Sequence, residues 1–594
     1  MAKSSYATVL ANRNAKTPQT QAIPGRESEM KKNTAGGVVF TITPFQMLER
    51  FLILGSDKPT YYSSAQKLTK ENAANVRECL KLDGKATVDK IVEISAAGRA
   101  PNNDPALLAL AVAATPAFGS PEIAQYATSQ LSKVARTGTH LMHFADFVSS
   151  MRGWGRNLKN SFGEWFTEKS ESSLAYSLAK YQSRDGWSTK DLLSLAHVKT
   201  AEPRKAAVLA WARVGSVEAL KHEAENWNRT VRVKKGGKAY NLTPEEVAVR
   251  RGRFQSAYDL LTGDTANRLI AAIEAAKKAT SATEVAKLIR EGGLTHEMIP
   301  TQWKTKPEVW EALLEKMPVT AMVRNLGNMS KVGLLTPLSA ASKLVVSRLT
   351  DAAIIQKKPP IHPIQIMLAL DTYRQGHGFR GKGEWTPVPN VVDALEDAFY
   401  LAFANCIPTG KNIYIGLDVS GSMSWECSMI KNTRITAAQA GAAMMLVMAK
   451  TEKNYATFAF STGMQNIGIT AKDTLETAMQ KTSRMSAGGT DCAQPMIHAA
   501  QKKMDVDAFI VITDNETWAG SMQPIQALKQ YRNVQDKPQA ALIVMGMTAT
   551  DCSIADPTDP YNLDVVGFDA NVPVLVTDFI RGNSAGITED DGEE

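Results

Sequence analysis

The chain has 594 residues, 44% hydrophobic and 22% charged, with a formal net charge of +8. That length predicts two or more domains, the absence of any 18-residue apolar run excludes a hydrophobic membrane span, and the opening MAKSSYATVLANRNAK has no apolar core of a secretory signal. Five scattered cysteines (79, 406, 427, 492 and 552) without a CxxC pair argue against a zinc ribbon or disulfide framework and fit a reducing, cytoplasmic setting.

In chain order, residues 1–40 are polar and are expected to form a mobile arm. From TPFQMLERFLILG (43–55) to about residue 370 the sequence reads as helix with short breaks, as in ENAANVRECLKL (71–82), ATVDKIVEISAAG (86–98), DPALLALAVAA (104–114) and VWEALLEKM (309–317). A series of helix pairs without a crisp period predicts an irregular α-solenoid, and strong curvature closes such a solenoid into a ring. Residues 1–407 hold 54 Lys+Arg against 38 Asp+Glu, whereas residues 408–594 hold 14 against 22. A basic first part joined to an acidic last part predicts a polyanion partner for the first.

Within the helical region, LAYSLAKYQSRDGWSTKDLLSLAHVK (174–199) is informative. Leu174, Leu178 and Tyr181 form a buried stripe, Asp185-Gly186 breaks the helix, and Ser188 with Asp191 makes a capping box that turns Leu192, Leu193 and Leu195 inward. Lys180, Arg184, Lys190, His197 and Lys199 then fall off the apolar stripes, where basic groups at a corner can grip phosphates. Arg136, His140, Arg152, Arg156 and Lys159 add basic candidates around Trp154 and Trp165, and VRVKKGGKAY (231–240) reads as a flexible cationic loop. Any one of these is equally an ordinary solvated charge; their clustering is the signal.

From residue 411 the pattern changes. KNIYIGLD (411–418), YATFAF (455–460), DAFIVITD (507–514) and AALIVMGM (540–547) read as strands. They alternate with helices at TAAQAGAAMMLVMAK (436–450), PMIHAAQKK (495–503) and PIQALKQYR (524–532). This is a doubly wound parallel sheet, whose ligands bind beyond the carboxyl ends of the strands. Those ends carry Asp418, Ser420 and Ser422, then Thr490 in the glycine-rich SAGGTDC (486–492), then Asp514. An all-oxygen set suits Mg²⁺ or another hard divalent cation. Ser420, Ser422 and Thr490 are predicted as direct ligands, with Asp418 and Asp514 orienting waters and balancing charge. A lone Ser420 or Ser422 would read as a helix cap; three loops at three strand ends read as a cation site. His498 reads as an ordinary helix residue.

The pattern D-x-S-x-S, then T, then D resembles the metal-ion-dependent adhesion site of von Willebrand factor A domains, with all five positions filled. Over a longer span, FQMLERFLILGSDKPTYY (45–62), GWGRNLK (153–159), YQSRDGWSTKDLLSLAHVK (181–199), MPVTAMVRNLGNM (317–329), IHPIQIMLALDTYRQGHGFRGK (361–382), PTGKNIYIGLDVSGSMS (408–424), SAGGTDCAQPMI (486–497) and ITDNETWAG (512–520) resemble the Ro 60 kDa ribonucleoprotein family, the TROVE-domain proteins. The resemblance departs in the N-terminal arm, in VRVKKGGKAY and in the acidic tail ITEDDGEE.

The resemblance implies a HEAT-like helical-repeat ring closed through a von Willebrand A-like α/β domain, and a monomeric, non-catalytic RNA scaffold. It implies Y-like RNA on the basic outer surface, misfolded noncoding RNA threaded by its 3′ single strand through a central hole, and, in bacterial relatives, tethering to an exoribonuclease such as polynucleotide phosphorylase. It places Lys180, Arg184 and His197 on the Y RNA surface, with Lys190, Arg136 and His140 as extensions, and the metal site on Asp418, Ser420, Ser422, Thr490 and Asp514. The expected division is an arm (1–40), a helical ring (41–407), an α/β domain (408–582) and an acidic tail (583–594). Two other classes remain open at this point: a metal-dependent ribonuclease using Asp418 and Asp514, and a protein-adhesion module.

Overall fold

The computed structural model describes residues 16–55, 74–228, 233–235, 238–240, 242–264, 266–357, 360–378, 383–403, 406–425, 435–548 and 550–582. The acidic tail lies outside the described residues. Between Pro44–Leu54 and Pro389–Leu401 the chain is a succession of helices, each packed on its neighbours. Their starts are written in the sequence: Asp83, Ser120, Thr137, Ser170, Ser216, Ser281 and Ser339 each accept a hydrogen bond from the amide three residues on. Asp104–Ala113 is apolar on every side because helices surround it. Among the described residues no helix is long and apolar enough to cross a membrane.

The succession closes on itself. The turn after Gly84–Ala97 meets the start of Pro363–Gln375, where His362 Nε2 lies 3.3 Å from the Arg99 carbonyl and Gln365 Nε2 lies 3.5 Å from that of Pro101. At the predicted corner, Ser183–Arg184 and Trp187–Ser188 pair as a short hairpin. Asp185 (φ 49°) and Gly186 (φ 81°) occupy its turn, a left-handed pair that Asp-Gly tolerates. The capping box forms: Asp191 N donates to Ser188 Oγ (3.2 Å) and Ser188 N to Asp191 Oδ2 (2.9 Å). Leu192 and Leu193 are buried, but Leu195 is 37% exposed because its short helix ends there and turns its last residues outward. In the predicted cationic loop, Val233–Lys235 and Lys238–Tyr240 pair as antiparallel strands.

The second part is a six-stranded sheet. We label β1 (Met30–Lys32) and β2 (Val38–Thr41) near the N-terminus, then β3 (Asn412–Asp418), β4 (Asn454–Phe460), β5 (Ala508–Thr513), β6 (Ala541–Gly546), β7 (Cys552–Ser553) and β8 (Asn562–Val566). The order is β8-β6-β5-β3-β4, parallel throughout, with Met464–Gln465 antiparallel on the far edge. Alternation sorts the strand residues by face. Ile415, Leu417, Ile510, Ile512 and Ile543 join the core that continues into the helical region. Tyr414, Phe509, Val511, Leu542 and Val544 face a second core beneath the helices Gln494–Gln501 and Pro524–Val534.

The expected mobile arm is not one over its described residues. Residues 16–41 run across the α/β domain, and β1-β2 extend a three-stranded sheet with β7. The polar composition misled because the segment docks through hydrogen bonds and ion pairs, with Met30, Val38, Val39 and Phe40 in the second core and Ala22 and Ile23 packed against it. The helical region is locked to the α/β domain by Arg50, which is 1% exposed and reaches Asp564 and the carbonyls of Thr550 and Cys552.

Candidate functional site

The chain passes from β3 to β4 on one side and crosses to β5 on the other, so the order in which strands are added reverses between β3 and β5. Such a reversal opens a crevice at the carboxyl ends. Asp418 ends β3 and Asp514 follows β5, and both are fully buried. Asp418 Oδ1 accepts from Ser420 N (2.8 Å) and Oδ2 from Thr513 Oγ1 (2.7 Å). Ser422 Oγ donates to Asp514 Oδ2 (2.6 Å) and lies 3.1 Å from Ser420 Oγ. Thr490 is 3% exposed, and its carbonyl accepts from Trp518 N (2.9 Å) and Ala519 N (3.0 Å). Through Ser422 and the Thr490–Trp518 contacts, the three predicted loops therefore converge.

The donor set fits a hard divalent cation. Two carboxylates are buried side by side, and burial together with Asp514 raises the Asp418 carboxyl above the usual carboxylate range. A cation among these oxygens would remove that cost. Among the described residues no group of three or more His, Cys, Asp or Glu is placed to hold a metal. A cation bound here would draw on the hydroxyls of Ser420, Ser422 and Thr490 beside the two carboxylates.

A cavity of about 560 Å³ opens over these residues, lined in part by Ser422, Thr490, Glu516, Thr34 and Ala35. Trp425 (60% exposed) and Trp518 (43% exposed) stand at its wall. Sequence reasoning missed Glu516. It is 2% exposed, burial pushes it up to about 7, and it accepts from Ala35 N (2.8 Å). Its position two residues after Asp514 was the available signal; its burial depends on the N-terminal segment, which the sequence pattern does not place. His498 is partnered by Tyr414 Oη at 3.0 Å, as an ordinary helix residue.

The second candidate surface is the basic corner. Arg184 lies exposed on the hairpin, and Lys190 and His197 are exposed on and just beyond the following helix. Lys180 is partly sheltered, with Nζ 3.2 Å from Tyr176 Oη, 3.7 Å from Glu297 Oε1 and over the Tyr176 and Tyr181 rings. The helix Gly138–Ser149, which carries His140, packs against this hairpin and helix. Arg136, which is exposed, and His140, which is half-buried, also make contacts within the fold. Arg136 Nη1 donates to Ser95 O (2.7 Å) and Oγ (2.9 Å), tying the loop before Gly138–Ser149 to the helix Gly84–Ala97. Burial and the Arg136 charge hold His140 down at about 4, so it is neutral at physiological pH. His143 was missed: it bridges Asp104 Oδ1 (2.6 Å) and Asp185 Oδ2 (2.9 Å), and the Asp104 hydrogen bond raises it above its ordinary value. Trp165 is core, whereas Trp154 and Trp187 are half-buried and pack with centroids 6.0 Å apart.

The TROVE domain family matches residues 31–372, and the Ro60 vWA domain family matches residues 412–580. The chain belongs to the TROVE-domain Ro60 family. A Ro60 relative from Deinococcus radiodurans, named RNA-binding protein RO60, is 40% identical over 95% of this chain and 97% of its own length. A namesake from Caenorhabditis elegans is 33% identical over 93% and 90%. The crystal structure of the Deinococcus radiodurans Ro protein superposes with a TM-score of 0.64 at 39% identity, covering 91% of this chain and all of that one. The helical ring with an appended von Willebrand A-like domain is thus the family architecture.

Proposed function

We propose that this Ro60-family protein is a non-catalytic RNA-binding scaffold. The supporting observation is the solvent-facing set Arg184, Lys190 and His197, with Lys180 beside it, on one hairpin–helix corner of the basic helical region. Relatives that match nearly the whole chain are named RNA-binding proteins. Side chains of this type, exposed together at a hairpin–helix corner, contact phosphates and duplex shape rather than base edges. A Y-like RNA is the proposed occupant of that surface. Misfolded noncoding RNA, entering by a 3′ single strand through the ring, is the proposed second class, since a positive channel holds unpaired strands without a base code. The scaffold then presents such RNA to an exoribonuclease, of which polynucleotide phosphorylase is the proposed example, from a monomeric ring in the cytoplasm.

The residues Asp418, Ser420, Ser422, Thr490 and Asp514 are proposed to hold Mg²⁺ or a similar divalent cation, which would supply an open coordination position for a carboxylate from a protein partner. Sequencing the RNA that co-purifies with the full chain tests the function. Enrichment of small structured RNA and of 3′-extended noncoding RNA is expected; protein free of nucleic acid at low salt overturns the reading.

A further inference from the structure

The described N-terminal residues do more than cover a sheet edge. Gln19 is fully buried between two of the cation loops. Its Nε2 donates to Asp491 Oδ1 (2.6 Å) and Met522 O (2.9 Å), and its Oε1 accepts from Thr517 Oγ1 (2.5 Å) and Gly520 N (3.1 Å). Its backbone amide also donates to Gly520 O (2.9 Å). Thr517 Oγ1 in turn lies 3.3 Å from the Thr490 carbonyl and accepts from Cys492 N (3.0 Å). Asn33 Nδ2 donates to Thr517 O (2.8 Å), and Ala35 N donates to Glu516. Two glycines mark how closely the chains approach. A Cβ on Gly37 would stand 1.7 Å from Thr517 O, and one on Gly520 2.4 Å from both Asp491 Oδ1 and Gln19 Nε2.

We propose that residues 16–41 are a fourth loop of the cation site: Gln19 and Asn33 hold the Thr490 loop and the 514–520 loop in ligating register, and Thr34–Ala35 form one wall of the approach to the cation. The proposal rests on the reading of Asp418, Ser420, Ser422, Thr490 and Asp514 as a cation site. Magnesium demands near-octahedral geometry, so the spacing between its loops decides affinity. Thr490 and Asp514 lie on different loops, and Gln19 is a side chain that bonds to residues of both. Groups that orient ligands in this way are typically worth about 10- to 100-fold in metal affinity. Gln19 and Asn33 are positioning residues here, since neither is offered as a ligand.

A merely structural role is separable, because Gln523 holds the same segment at a distance from the ligands. Its Nε2 reaches Pro18 O (3.3 Å), Gln21 O (2.8 Å) and Val38 O (3.1 Å). The test titrates Mn²⁺ into the full chain by electron paramagnetic resonance, with a thermal melt in EDTA for each variant. Gln19→Ala is expected to weaken Mn²⁺ binding about 10- to 100-fold, whereas Gln523→Ala lowers the melt and leaves Mn²⁺ affinity within about twofold. Asn33→Ala, which removes fewer hydrogen bonds, serves if Gln19→Ala does not fold, and is expected to weaken Mn²⁺ in the same direction. Parent-like Mn²⁺ affinity in a folded Gln19→Ala or Asn33→Ala chain, or equal weakening in Gln523→Ala, overturns the positioning role. A parent chain that binds no Mn²⁺ overturns the cation site itself, and is thereby distinguishable.

Discussion

Arg50 and Asp564, 514 positions apart, form an ion pair at 2.5 Å with both side chains nearly removed from solvent. Arg50 comes from the first helix of the helical region and Asp564 from β8, so the pair joins the two ends of the chain. Removing one partner of a buried pair leaves the other desolvated, which costs about 3–5 kcal/mol. Arg50→Ala is therefore expected to lower global stability by that order in denaturant melts. A loss below about 1 kcal/mol would mean that the pair does not hold the domains together.

His362 governs a pH dependence. It is buried, 7% exposed, and that burial holds it at about 4, below its ordinary 6.5. Its Nδ1 accepts from Ile364 N (3.2 Å), which a protonated ring cannot do, and its Nε2 faces the Arg99 carbonyl across the ring closure. A lowered folded value means that the unfolded chain takes up the proton first. The stability is present above about pH 6.5 and is lost as pH falls toward 4, up to about 3 kcal/mol for such a shift. Melts between pH 7 and 4.5 should show a shallower fall for His362→Asn, which keeps a helix-capping oxygen; an unchanged slope would assign the acid sensitivity elsewhere.

Lys180→Ala combined with His197→Ala is expected to weaken structured-RNA binding while leaving the melt intact. Every phosphate left without its cationic partner should flatten the log-log salt dependence by about 0.7–0.9. Parent-like affinity and slope at physiological salt would remove this corner from the RNA surface. Arg136→Ala is expected to act differently, lowering stability because its hydrogen bonds to Ser95 disappear.

Asp418→Ala is expected to abolish divalent-cation binding and to leave RNA binding within a few-fold, because the cation site and the basic corner lie in different domains. Incubation of labelled RNA with parent and variant in Mg²⁺ checks the enzymatic alternative at the same time. RNA shortening by the parent, abolished in Asp418→Ala, would replace the scaffold reading with a ribonuclease.

Much of this protein was legible without coordinates where information is local. The strands from Asn412 to Gly546, the Ser188–Asp191 capping box and the Asp185-Gly186 turn follow from periodicity and from side chains that bond within three residues. The family was legible because whole motifs survive in order. That Asp418, Ser420, Ser422 and Asp514 gather at one end of the sheet was legible because strand ends in such a sheet have a known common side. Tertiary structure alone decided the rest. Composition could not show that a polar N-terminal segment docks, since Gln19 finds its partners about 500 residues away. Nor could it show that Arg136 bonds to the helix Gly84–Ala97 and His140 is held neutral, while Lys190 and His197 stay in solvent. A side chain's type states what it can bond; only the packed chain determines which groups are near enough, and dry enough, for that bond to matter.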